Sequence, residues 1–382
     1  MAKLMSSATA AVHLSENMDV TCSRAQPMRP ALGLLGLGLA VYLVRTVAGV
    51  RVGFAAGAAD DWLYSAIELF ATALVWWRVI TSEADRGAWA ALAGFATLWT
   101  VGDLGWTLSL DGQADPPFPN WTDALYLAAY VLAYAGVVLL LRSRVREIRT
   151  SVWLDGLIGG FALGAVCAAA FLEPVLGSAA GSSSAMAVTL AYPVLDVALL
   201  CVVGVAFGVG DWRPGPLWVA LGLSMAICAV GDAAYSWQRA VGDYTALSWV
   251  NGTWPAALAV LAVAAWLPEG WRRETKLVVG VFAVPALFAA VSLGVLVWSQ
   301  FHQIGGLAVV AAAASLVAVG LRAWLTHREN LRLLRQSRQE ALEDGLTGLA
   351  NRRRLMLDLA RTLGGGAQEP ATLVFFDLDG FK

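Results

Sequence analysis

Apolar stretches broken by short polar loops recur along the chain at 31–50, 61–80, 87–110, 121–141, 152–172, 185–208, 216–236, 246–267, 276–299 and 304–325. An α-helix rises about 1.5 Å per residue, so roughly 20 apolar residues cross a hydrocarbon core. The pattern therefore predicts an all-α polytopic membrane bundle of about ten transmembrane helices over residues 31–325. Beyond residue 325 the apolar pattern stops. A charged, helix-forming linker occupies 326–343, and residues 344–382 open a second, soluble segment.

Composition sharpens this picture and excludes an ordinary soluble protein: 58% of residues are hydrophobic, only 14% are charged, and mean hydropathy is +0.65. The four cysteines are scattered without metal-ligand or disulfide spacing and read as small packing residues. Residues 1–30 are polar and lack the order of a cleavable signal peptide, so the first apolar stretch is expected to stay as an anchor behind a cytoplasmic N-terminal segment.

Orientation follows from basic residues in the short loops, because Lys and Arg are retained on the cytoplasmic side. One set of loops holds Arg78 and Arg86, then Arg142, Arg144, Arg146 and Arg149, then Arg213, then Arg272, Arg273 and Lys276; the alternate loops hold only Arg51 and Arg239. This predicts a multi-pass protein with both termini cytoplasmic. Trp62, Trp121, Trp153, Trp218, Trp271 and Trp298 fall at predicted span ends, where indole rings anchor at the interface.

Within the apolar region two halves resemble one another at an offset of 128 or 129 residues. Tyr64-Ser-Ala-Ile-Glu68 aligns with Tyr192-Pro-Val-Leu-Asp196, Val101-Gly-Asp103 with Val230-Gly-Asp232, and Trp121-Thr-Asp123 with Trp249-Val-Asn251. The offset spans four helices, an even number, so the copies share one orientation. The repeat isolates Glu68, Asp103, Asp123, Asp196, Asp232 and Asn251 as polar groups in apolar surroundings. Charged groups there are costly and face a bundle interior or a wet cavity. Two readings stand side by side: a sensing or binding cluster for a ligand, cation or proton, or hydrogen bonds that tie helices together.

In the linker, Leu331, Leu334 and Ala341 are spaced for a weak dimer seam interrupted by Arg338. Asp344-Gly and Thr347-Gly348 read as turns, and Asn351 as the N-cap of a helix starting at Arg352 and carrying Leu355, Leu359 and Leu363 on one stripe. Residues 372–376 read as a buried strand ending in Asp377 and Asp379. A carboxylate at such a strand end suits Mg²⁺.

Together, Asp344-x-Leu346-Thr347-Gly348-Leu349-x-Asn351-Arg352-Arg353 and the later Asp377-x-Asp379-x-Phe381-Lys382 resemble the start of a GGDEF domain, the catalytic domain of bacterial diguanylate cyclases. The resemblance implies the beginning of an α/β nucleotidyl-cyclase-like domain. It implies a reaction in which two subunits each hold one GTP and join them into cyclic di-GMP. Asp377 and the Leu378 carbonyl correspond to metal ligands for Mg²⁺, while Gly380, Phe381 and Lys382 lie along the nucleotide phosphates. Asp344, Asn351, Arg352 and Arg353 form the joint between linker and catalytic body. The family's signature loop lies beyond Lys382, so residues 344–382 alone are expected to be inactive. The expectation is thus a membrane sensor, homodimeric through linker and cyclase domain, seated in a bacterial cell membrane, with GTP and the bilayer as partners and no nucleic acid. The alternatives are a parallel-repeat transporter and a non-catalytic sensor with a vestigial cyclase segment.

Overall fold

A computed structural model describes residues 28–48, 56–111, 113, 116–144, 150–172, 183–209, 214–245, 248–268, 279–344, 347–364, 372 and 374. The chain divides into two compact units, Met1–Gly320 and Leu321–Lys382.

Helices occupy all ten apolar stretches. They are α1 (Arg29–Ala48), α2 (Ala56–Thr81), α3 (Arg86–Ser109), α4 (Trp121–Arg144), α5 (Thr150–Cys167, continued by a π-helical turn Ala168–Leu172), α6 (Ser183–Val209), α7 (Pro216–Val241), α8 (Thr253–Trp266, entered by a 3₁₀ turn Trp249–Gly252), α9 (Val279–Trp298) and α10 (Gly306–Glu340). In a bilayer only internally hydrogen-bonded helices or closed barrels satisfy the backbone, and long runs of Leu, Ala, Val and Gly without strand-breaking turns select the helix.

Against the expected ten or so spans, the described residues give seven. Among the described residues, seven helices are long and apolar enough to cross a membrane, those centred on α2, α4, α5, α6, α7, α8 and α10. The α3 helix mixes Gly, Thr and Trp with Asp103, which lowers its apolarity, while of α9 only Pro285–Trp298 belongs to the stretch whose side chains are described. The first unit is a helical bundle, and seven such helices suggest a multi-pass membrane protein.

The repeat is visible in the packing. Helix α2 packs on α3 and α3 on α4; their counterparts α6, α7 and α8 pack in the same sequence. Across the copies α2 meets α8 and α4 meets α6, so the pairing is unchanged when the copies are exchanged. One continuous core runs through both halves, with Trp89, Leu92, Leu140, Leu221 and Leu261 fully buried. Trp62, Trp121, Trp153 and Trp298 are exposed as interface anchors would be. Trp218 is buried instead, and Trp271 lies outside the described residues.

The second unit corrects the other half of the predicted fold class. Its described residues form no strand and no sheet, so the expected start of an α/β domain is not seen. They comprise the end of α10, one isolated antiparallel bridge between Glu343 and Ala350, a tight loop, and α11 (Arg352–Gly364). Most of the strand expected over 372–376 lies outside the described residues. Thr372 and Val374 are outside any regular element. The linker helix ends at Glu340, so Ala341 falls beyond the expected seam, whose Leu331 and Leu334 are exposed.

Candidate functional site

The acids singled out by the repeat converge on hydroxyl and indole donors inside the bundle. Asp103 on α3 is held from both sides: the Tyr64 hydroxyl of α2 donates to Oδ2 at 2.8 Å, and the Tyr126 hydroxyl of α4 donates to Oδ1 at 2.5 Å. Its repeat counterpart Asp232 on α7 accepts the Trp254 indole N–H at Oδ1 (2.7 Å) and faces the Tyr130 hydroxyl at Oδ2 (2.9 Å). Tyr126 and Trp254 occupy equivalent places, one helix after each acid, so the two copies keep the contact while changing the donor.

The close approach of the next helix explains the glycine before each acid. A Cβ at Gly102 would lie 2.5 Å from the Tyr126 ring, and one at Gly231 would lie 2.1 Å from the Thr253 hydroxyl oxygen. Both helices must present bare backbone there for the partner helix to close in.

Tyrosines also stitch the copies together. Tyr130 reaches Asp196 Oδ1 on α6 at 2.6 Å as well as Asp232, Tyr192 donates to Asp123 Oδ1 at 2.8 Å, and Tyr134 donates to the Leu195 carbonyl at 2.6 Å. The second Asp123 oxygen accepts the Asn120 backbone N–H at 2.8 Å, which fixes the start of α4. Glu68 differs from the rest. It is fully buried, neither carboxyl oxygen meets a donor among the described residues, and it faces Asp103 and Tyr64.

Asn251 stands apart, in the 3₁₀ turn, where its Oδ1 accepts the Tyr244 hydroxyl at 2.8 Å. Tyr244 lies in the loop after α7, its ring edge-on to Tyr235 at 4.9 Å. Burial pushes its phenol up from 10.0 to about 12, because the ionised form loses hydration there. The structure thus brings Glu68, Asp103, Asp123, Asp196 and Asp232 into the bundle interior and leaves Asn251 in the turn before α8, bonded to Tyr244. Sequence reasoning missed the donors Tyr64, Tyr126, Tyr130, Tyr134, Tyr192 and Trp254. The repeat offset itself pairs Tyr64 with Tyr192 and Tyr126 with Trp254, a signal that could have found four of them.

In the second unit the predicted joint folds as a clasp. Asp344 Oδ1 accepts the Thr347 backbone N–H (3.0 Å) and hydroxyl (2.9 Å), while the Asp344 N–H donates to the Leu349 carbonyl at 2.8 Å. Gly348 turns the chain at φ 68°, in the left-handed region that favours glycine. Asn351 Oδ1 caps α11 by accepting from the Arg353 and Arg354 N–H groups at 3.0 and 3.1 Å, and its amide donates back to the Ala341 carbonyl at 3.0 Å. Arg352 and Arg353 line an open depression with Met356 and Leu357. Asp377, Leu378, Gly380, Phe381 and Lys382 lie outside the described residues.

The chain matches no protein-family model, no curated protein and no solved structure.

Proposed function

We propose that this protein is a membrane signal transducer whose linker controls diguanylate cyclase chemistry, the joining of two GTP into cyclic di-GMP. The observation that carries the reading is the clasp: the residues that resemble the cyclase joint each have a distinct geometric task in it. Asp344 binds the Thr347 turn, Gly348 supplies the positive φ, and Asn351 caps α11 while holding Ala341. Such a joint suits transmission, because α10 runs without a break from Gly306 to Glu340 and delivers the chain to Asp344.

On this reading Asp377 and the Leu378 carbonyl hold Mg²⁺, with Gly380, Phe381 and Lys382 along the phosphates. The metal would supply charge neutralisation at the reacting phosphate. The working form is a homodimer with the cyclase segment in the bacterial cytoplasm, as the basic-loop bias suggests. The test is cyclic di-GMP formation from GTP by the product of the whole gene in lipid nanodiscs. Product that disappears in D377A, and that changes when residues are inserted into 326–340, supports the reading. No product from an intact dimer overturns it.

A parallel-repeat transporter is the second reading, favoured by the matched acids Asp103 and Asp232 at equivalent places of the two copies. Uptake lost in D103N and D232N, with no cyclase output, would select it.

A further inference from the structure

We propose that the bundle contains two repeat-related proton sites, each a pair of carboxyl groups that shares one hydrogen: Glu68 with Asp103, and Asp196 with Asp232.

The first pair shows the need for that hydrogen at Glu68. Its side chain is 0% exposed, and neither oxygen meets a donor among the described residues. The Tyr64 hydroxyl beside it has a single hydrogen, already given to Asp103 at 2.8 Å. A bare carboxylate in that position, next to a second one, combines lost hydration with like-charge repulsion. A hydrogen on Glu68 directed at Asp103 removes both penalties. Asp103 can accept it, since a carboxylate has about four lone-pair sites and only two are taken by Tyr64 and Tyr126.

The second pair reaches the same result by counting hydrogens. Tyr130 contacts Asp196 at 2.6 Å and Asp232 at 2.9 Å, yet its hydroxyl has one hydrogen to give. One contact is Tyr130 donating; the other closes only if an acid donates to the phenolic oxygen. The chain acid, phenol, acid therefore needs one hydrogen beyond the tyrosine's own. Rotating the hydroxyl and moving that hydrogen to the other acid gives an equivalent arrangement, so the site can pass its proton from α6 to α7.

Among the described residues no cationic side chain hydrogen-bonds to these acids to take the proton's place. Glu68 has Asp103 and Tyr64 beside it, and Asp103 is held by the Tyr64 and Tyr126 hydroxyls. Asp196 and Asp232 both meet the Tyr130 hydroxyl, and Asp232 also the Trp254 indole N–H. Arg239 lies against the Tyr235 ring, 5.9 Å from its centroid. Among the described residues no three His, Cys, Asp or Glu are grouped to hold a metal ion, whereas a proton needs only the paired oxygens present here. Proton uptake is balanced as carboxylate plus H⁺ from water giving carboxylic acid, with no other reactant.

The inference is independent of the cyclase reading, and its test uses no nucleotide. Infrared difference spectroscopy of the purified protein in lipid nanodiscs reads the carbonyl stretch of protonated carboxyls, which exposed acids lack at neutral pH. Two such bands are expected at neutral pH, both shifting in heavy water. E68Q should remove one, D232N the other, and E68Q/D232N both. Unchanged bands in the double variant overturn the proposal. If the variants do not fold, the wild-type protein still decides, because the absence of any protonated-carboxyl band at neutral pH overturns it too.

Discussion

The hydroxyl of Tyr192, at the middle of α6, donates to Asp123 in the first turn of α4 at 2.8 Å, joining a residue of one repeat copy to an acid of the other. Removing that hydroxyl leaves a largely buried carboxylate oxygen without its donor, which costs roughly 1–3 kcal/mol. Y192F should therefore lower the thermal unfolding temperature of the detergent-purified bundle. A double-mutant cycle with D123A should give a coupling of about 0.5–3 kcal/mol. Additive losses would mean the contact does not tie the copies together.

Close helix approach at the paired glycines makes a second prediction. G102A drives a methyl against the Tyr126 ring and G231A drives one against Thr253, and overpacking of this kind costs about 1–3 kcal/mol. G36A is the control, since nothing lies within 4 Å of a Cβ there. It should be neutral or stabilising by up to about 1 kcal/mol, because alanine favours helix over glycine. Equal effects at all three positions in thermal unfolding would contradict the packing.

Much of the bundle was legible in the sequence because a membrane imposes one solution on long apolar runs. The repeat offset located the acids for the same reason: Asp103 and Asp232 are conspicuous in apolar surroundings. Their partners were not, since a tyrosine such as Tyr130 within Ala-Ala-Tyr-Val-Leu reads as ordinary apolar surface until the fold brings α4 against α6 and α7. Nor could alternation of charge show that Glu68 is without a donor while Asp103 has two, because that depends on which helix faces cross. The clasp was readable at Asn351 and Gly348, where the conformation is local. The strand expected over 372–376 rested on residue type alone, and of it only Thr372 and Val374 are described, outside any regular element.

Asn351 separates two tasks that substitution can pull apart. N351A removes both the cap on α11 and the amide contacts to the Ala341 and Glu343 carbonyls, costing about 1 kcal/mol or more for the cap alone. N351D keeps an acceptor for the Arg353 and Arg354 N–H groups and loses only the amide donors. Hydrogen-exchange mass spectrometry should show faster exchange at the start of α11 in N351A, and near-normal exchange there in N351D with loosening confined to 341–344. Identical profiles for the two variants would show that the amide contacts, not the cap, hold the clasp.

Tyr244 gives a pH dependence with a definite sign. Its folded-state phenol is raised to about 12 from an ordinary 10.0, so its contribution to stability is fully present below pH 10 and is lost as pH rises toward 12. Ultraviolet difference titration of wild type against Y244F should place this phenolate's appearance above the ordinary value. A midpoint at the ordinary value would mean that the ring is solvated rather than packed on Tyr235.

Asp85 tests the turn between α2 and α3, where two demands meet on one residue. It stands at φ 52° and ψ 29°, left-handed, and its carboxylate pairs with Arg144 at the end of α4. Alanine forfeits the ion pair and keeps the backbone cost, which is roughly 1–2 kcal/mol for a residue with a Cβ. Glycine forfeits the pair but adopts the conformation freely, and asparagine tolerates it while retaining a polar side chain. Thermal unfolding should therefore rank wild type above D85N and D85G, with D85A lowest by about 1 kcal/mol relative to D85G. If D85A matched D85G, backbone strain would be excluded and the whole effect assigned to Arg144.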